Sequence, residues 1–179
     1  MASLRKANAY SKRHVVPFTR ISKRKQKSFI KVVPPQKIVK FTMGNEQAFN
    51  EGKLPYILNV VSTDNVQIRH NALEACRQYI NKKMDTSFAG VYFFRVVPFP
   101  HHIQRENKML TGAGADRMQT GMQLSFGKSM GKAAIVKAGS NVFVLALPNP
   151  KAVTFAREVI REIKAKLPCK VRVEEAKKE

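Results

Sequence analysis

Acidic residues are scarce in this chain: 12 Asp and Glu stand against 33 Lys and Arg, a net charge of +21. The first 45 residues contain no acid at all. A chain of 179 residues with that excess repels itself unless something anionic neutralises it. Nucleic acid is therefore the first expected partner, and an anionic membrane surface the second. Long apolar runs are also missing. The longest, Val142 to Leu147 and Val91 to Phe94, are strand-sized and far short of the ~20 residues a membrane span needs. The start, M-A-S-L-R-K-A-N, offers no hydrophobic secretory segment. A mitochondrial presequence is poorly served by an N-terminus richer in Lys than Arg and broken by Pro17, Pro34 and Pro35. Cysteine is scarce too. Cys76 and Cys169 lie far apart and form no C-x-x-C pair, which argues against zinc. Cys76 falls on an apolar helix stripe and reads as a core thiol, so the chain reads as intracellular and reduced.

What is present is unevenly placed. Residues 1–40 hold 12 of the Lys and Arg, including S-K-R-K-Q-K-S at 22–28. Such a run reads first as a solvated tail, but Tyr10, Phe18, Ile21, Phe29, Ile30, Val32 and Val33 interleave it with apolar anchors. The pattern predicts an extended arm that becomes ordered on its partner.

From about residue 45 the composition becomes globular. Y-I-L-N-V-V (56–61) predicts a strand. Asn71 with Glu74 predicts a variant capping box, followed by a helix with Leu73, Cys76, Ile80 and Met84 on one face. Val91 to Val97 is a β-rich run that P-F-P (98–100) stops. Ala133–Val136 and Val142–Leu147, joined by K-A-G-S-N, predict a hairpin. Asn149-Pro150 predicts a helix start. That helix would bury Val153, Ala156, Ile160, Ile163 and Leu167, expose Arg157, Glu158, Arg161, Glu162 and Lys164, and end by Pro168. K-V-R-V-E (170–174) is a last strand. The expected fold is α+β, two helices on a mostly antiparallel sheet. Its divisions are a basic arm at 1–44, a core at 45–174 with a long irregular loop at about 101–131, and a charged tail at 175–179.

Catalytic patterns are weak. G-A-G-A-D-R (112–117) has two glycines of a dinucleotide fingerprint, but Arg117 stands where the third belongs. F-G-K-S (126–129) contains G-K-S, yet Met122 replaces the first glycine of a phosphate loop. His101 and His102 are adjacent, with no Cys or carboxylate pair nearby to complete a metal site. They read as imidazoles packed on, or hydrogen-bonded to, RNA or backbone. No carboxylate dyad is visible, so no enzyme, cofactor, metal or small-molecule substrate is expected. Between Pro100 and Gly131 the chain instead carries Arg105, Lys108, Arg117 and Lys128 together with Gly112, Gly114, Gly121 and Gly127. Glycine lets backbone approach a ligand closely, and a long insertion of this kind is usually functional.

P-H-H-I-Q-R-E-N-K-M-L-T-G-A-G-A-D-R-M-Q-T-G-M (100–122), followed by F-G-K (126–128), resembles the universal large-subunit ribosomal proteins of the L-sixteen / L-ten-e family, in an archaeal variant. P-F-T-R (17–20), P-P-Q-K-I-V-K-F-T-M-G-N (34–45) and V-Q-I-R-H-N-A-L-E-A-C-R (66–77) follow the family's order. The resemblance spans most of 17–174. It implies an α/β-hammerhead-type domain that binds large-subunit rRNA beside neighbouring ribosomal proteins, with the 105–117 loop near the tRNA acceptor end. The rRNA contacts would then be Arg5, Lys6, Lys12, Arg13, Arg20, Lys23, Arg24, Lys25, Lys27, Lys31, Lys37, His101, His102 and Lys128. The tRNA-proximal loop would use Arg105, Lys108, Gly112, Gly114, Asp116 and Arg117, with Asp116 paired to Arg117 or accepting from a ribose or base. The alternative is a free-standing RNA-binding or ribosome-assembly factor.

Overall fold

A computed structural model of the protein describes residues 6–12, 17–19, 30, 32–106 and 128–177. Among the described residues, eight strands form two antiparallel sheets, where the sequence pattern predicts one. The larger has the order β1-β4-β7-β2-β8, from Thr42–Gly44, Phe93–Val96, Asn141–Leu147, Tyr56–Ser62 and Val171–Lys177. The smaller has the order β3-β6-β5, from Val66–Arg69, Lys128–Val136 and His102–Glu106. Three α-helices complete the described fold: α1 (Glu46–Asn50), α2 (His70–Phe88) and α3 (Pro150–Ile163), the last running into a 3-10 turn at Lys164–Lys166.

One core joins both sheets to α2 and α3. Leu73, Cys76, Ile80 and Met84 of α2 and Ala156, Ile160 and Ile163 of α3 pack with Leu58, Phe94 and Leu145 of the large sheet and Val66, Ile68, Ala134 and Val136 of the small one. Fully burying a Leu, Ile or Met side chain contributes about 1.5–3 kcal/mol, so the helical stripes weld the two sheets into one body. The opposite face of the large sheet is covered at one end by α1, where Phe49 stacks on Phe93 with ring centroids 4.3 Å apart.

Several local expectations fail for physical reasons. No capping box forms at Asn71. Helix α2 begins two residues earlier than an Asn71 cap implies, at His70, with Arg69 at the cap position and no side-chain cap bond. The Glu74 carboxylate accepts instead from Arg77 through two bonds of 2.7 Å and from Gln78 at 2.9 Å. That Arg77 fork holds its carboxyl below the usual range. The predicted 133–147 hairpin does not form either. Strand β6 has β3 and β5 on its two edges, and β7 has β4 and β2, so neither has an edge left for the other. The Lys137–Ser140 link crosses between sheets. Gly139 (φ +81°) donates its N–H to Ser62 O at 2.8 Å, and the Ser62 N–H donates to Ser140 O at 3.0 Å.

The long loop is also shorter than predicted. Its flanks, His102–Glu106 and Lys128–Val136, pair as an antiparallel stem in which Gln104 faces Gly131 and Arg105 faces Ser129. The skipped Met130 makes a β-bulge there, a feature that re-aims the end of a hairpin. At the C-terminus, Glu175, Ala176 and Lys177 continue β8 opposite Leu58, Ile57 and Tyr56 rather than starting a tail.

Candidate nucleic-acid interface

The described parts of the first 44 residues are folded onto the protein. The small sheet has two edge strands, and an unpaired edge is a template for unwanted association unless covered. The N-terminal segment covers both. At β3 the Gln67 N–H donates to Ser11 O at 2.8 Å, and at β5 the Ile103 N–H donates to Phe18 O at 2.9 Å. The Phe18 N–H in turn donates to His102 Nδ1 at 3.1 Å. Further along, the Ser129 hydroxyl donates to Val32 O at 2.8 Å, and the Tyr10 hydroxyl reaches Glu106 Oε1 at 3.4 Å. Ile30 and Ile38 are buried as deeply as core residues, at 3% and 5% exposure. These apolar anchors explain why the segment is not a free extended arm in its described parts.

All of these contacts except Ser11's fall on the β5–β6 stem. The Arg105 guanidinium stands over the Phe18 ring, 3.8 Å from its centroid. Arg69, Ala133 and His102 form one row across the sheet, and Gln104 donates to Gln67 Oε1 at 3.1 Å. Among the described residues, five of the seven buried polar ones (Ser11, Gln67, His70, His102 and Gln104) belong to this sheet, its N-terminal cover or the first turn of α2. The paired ones, Gln104 with Gln67 and His102 with the Phe18 N–H, fix one arrangement, because a misplaced partner leaves a donor or acceptor unpaired.

Cations gather on the same part of the protein. Burial, followed by the charges of Lys37, Arg69 and Lys132, lowers the His70 pKa to about 4. Burial, followed by Arg105, lowers that of His102 to about 4. Both imidazoles are therefore neutral at neutral pH, and the positive field around them is carried by Lys and Arg. An anion arriving at this surface meets fixed positive charge on three segments: 32–40, β3 and the β5–β6 stem.

The candidate residues divide accordingly. Lys6, Lys12, Lys37, His101 and Lys128 are exposed, and Arg105 is half-buried at the stem. His102 is the correction: at 5% exposure its imidazole faces inward and anchors Phe18, so it does not share the surface position of His101. Arg5, Arg13, Arg20, Lys23, Arg24, Lys25, Lys27 and Lys31 lie outside the described residues, as do Lys108, Gly112, Gly114, Asp116 and Arg117. Arg69 and Lys132 were not singled out by sequence reasoning. Their signal is weak: Arg69 closes the short strand V-Q-I-R and Lys132 lies mid-strand in β6, and they come together only once β3 and β6 are known to be neighbours.

Among the described residues, no group of three or more His, Cys, Asp or Glu is placed to hold a metal ion, and no helix is long and apolar enough to cross a membrane. Cys76 is fully buried, and burial pushes its thiol up to about 12, which leaves it no nucleophilic role. Fold and surface together define a class: a basic α+β protein that presents a cationic hairpin stem. Residues 17–174 match the family described as ribosomal protein L16p/L10e. The chain is 44% identical over 158 residues to the large ribosomal subunit protein uL16 of Hyperthermus butylicus, covering 88% of this chain and 82% of the relative. It is 41% identical over 171 residues to that of Thermofilum pendens, covering 95% of each. Against that of Methanococcus maripaludis it is 41% identical over 155 residues, covering 85% of this chain and 87% of the relative. The chain belongs to the ribosomal protein L16p/L10e family, and so is a structural component of the ribosome rather than an enzyme.

Proposed function

We propose that this chain works in the large subunit of cytoplasmic ribosomes, where its N-terminal segment and the β5–β6 stem bind large-subunit rRNA. The observation that carries this reading is the meeting of Phe18, Arg105 and His102 at the base of the hairpin. The acid-free N-terminal segment and the stem of the glycine-rich finger are thereby one structural unit. Phosphate contacts by Lys and Arg supply affinity and register without reading sequence. The proposed rRNA contacts are the cations of 1–40, His101 and Lys128, together with Arg69 and Lys132, whose charges reach His70 at the start of α2.

The finger at 107–127 would then extend from this stem toward the tRNA acceptor end. Lys108 and Arg117 would act there as donors to phosphate oxygens, and Gly112 and Gly114 would let the backbone pass close to the strand. Asp116 would orient Arg117. Neighbouring ribosomal proteins complete the surroundings. The test is deletion of 111–115, which removes no residue of the described core. The isolated protein should keep its unfolding midpoint, while ribosomes carrying it should lose tRNA accommodation or stall in late subunit assembly. Ribosomes that assemble and translate normally with the deletion would refute the finger's role.

A further inference from the structure

Three rings follow one another at the junction of the two sheets, where the chain passes from β4 into β5. Phe41 and Phe99 are stacked with centroids 5.3 Å apart and planes inclined by 24°, and the His101 ring follows 4.7 Å from Phe99. Phe99 keeps 46% of its surface open to solvent and Val97 beside it another 46%, although Phe is among the side chains most often buried. The presentation is rigid. Pro98 and Pro100 flank Phe99 and fix their own φ, and the Val96 N–H donates to Phe41 O at 2.8 Å, tying the two ring-bearing segments together. The segments that build the patch, 32–45 and 91–105, contain no Asp or Glu. A partner must therefore be compatible with aromatic faces on segments that contribute cations and no acid of their own. A nucleobase satisfies both conditions: it offers a π face, and its phosphate finds the cations that these two segments carry.

Resting on the rRNA-binding reading above, we propose that Phe41, Phe99 and His101 form a stacking platform for an unpaired base of large-subunit rRNA. Such a base is splayed from its helix and lies against the open face of Phe99. Stacking of this kind tolerates any base, because every base has a π face, and is worth about 1–3 kcal/mol per base, or roughly 5- to 150-fold in Kd.

The chain contains no Trp, so Phe99→Trp installs a single fluorescent reporter at the platform. Titrated with purified large-subunit rRNA, Phe99→Trp should bind within about 3-fold of the wild type and its emission should be quenched by base contact. Phe99→Ala should weaken binding roughly 5- to 150-fold while the slope of log affinity against log salt stays unchanged, since no phosphate contact is lost. Phe99→Tyr should restore affinity, which separates loss of the ring from loss of the fold. Wild-type affinity of Phe99→Ala, with unquenched emission from Phe99→Trp, would overturn the platform and leave the rRNA reading standing. Unquenched, blue-shifted emission that appears only with intact subunits would also overturn it, in favour of a protein neighbour at this patch. Failure of the wild-type protein to bind rRNA would overturn both.

Discussion

Replacing Phe18 by Ala removes the ring that pins the N-terminal segment to the hairpin stem while leaving its backbone bonds to His102 and Ile103 chemically possible. The half-buried ring contributes roughly half of the 1.5–3 kcal/mol of a fully buried Phe. The Arg105 guanidinium 3.8 Å above it adds about 0.5–1 kcal/mol. The combined loss, about 1.3–2.5 kcal/mol, corresponds to roughly an 8- to 70-fold rise in local opening. Hydrogen exchange reads this directly, because the Ile103 N–H donates to Phe18 O. In Phe18→Ala the Ile103 amide should exchange faster by that factor. Amides of Leu58 and Leu145, in the centre of the large sheet, should change little, since local openings differ across a structure. Unchanged Ile103 protection would mean that the segment is not held through Phe18. An equal acceleration at Leu58 and Leu145 would mean that the contact supports the whole fold rather than the stem.

Stability should also fall in acid. His70 and His102 titrate near 4 in the folded protein and near 6.5 when unfolded, so the unfolded chain binds more protons between those values. Their contribution is complete above about pH 6.5 and is lost as pH falls toward 4, on the order of 3 kcal/mol each at about 1.4 kcal/mol per unit; urea midpoints measured across pH 4–7 check it, and flat midpoints would refute it. Gly44→Ala should cost much more than Gly139→Ala, although both glycines have φ +81°. A Cβ at 44 would stand 2.1 Å from the Tyr92 carbonyl oxygen, whereas none at 139 meets anything within 4 Å. Thermal melts should separate the two variants by several degrees. Cys76 should resist alkylation in the folded protein and react only on denaturation, because burial raises its pKa to about 12. Removal of 1–40 should flatten the salt dependence of RNA binding by several units of slope. It should also lower stability, because Ile30 and Ile38 leave with the cations.

The two long helices and most strands were legible because their signals are local, whereas the short α1 was not predicted. The stripe Leu73, Cys76, Ile80, Met84 and the run Tyr56–Val61 report burial through spacing alone. The sheet partition was not legible. Ala133–Val136 and Val142–Leu147 look like the arms of a hairpin, and only the competing edges of β2, β3, β4 and β5 show that they separate. Strand β5 was hidden because H-I-Q-R-E has little apolar alternation, and its pairing comes from β6 and Phe18. Net charge pointed to the partner class, but charge counts all cations alike. Arg69 and Lys132 join the candidate surface, and His102 leaves it, through packing that composition does not express.

The central claim is tested most directly by adding the purified chain to large subunits stripped of their own L16p/L10e protein and sedimenting the mixture through a high-salt cushion. The chain should pellet with the subunits at one copy each, and its rebinding should restore tRNA accommodation. A chain that stays entirely in the top fractions would contradict the account and favour a free-standing RNA-binding or assembly factor.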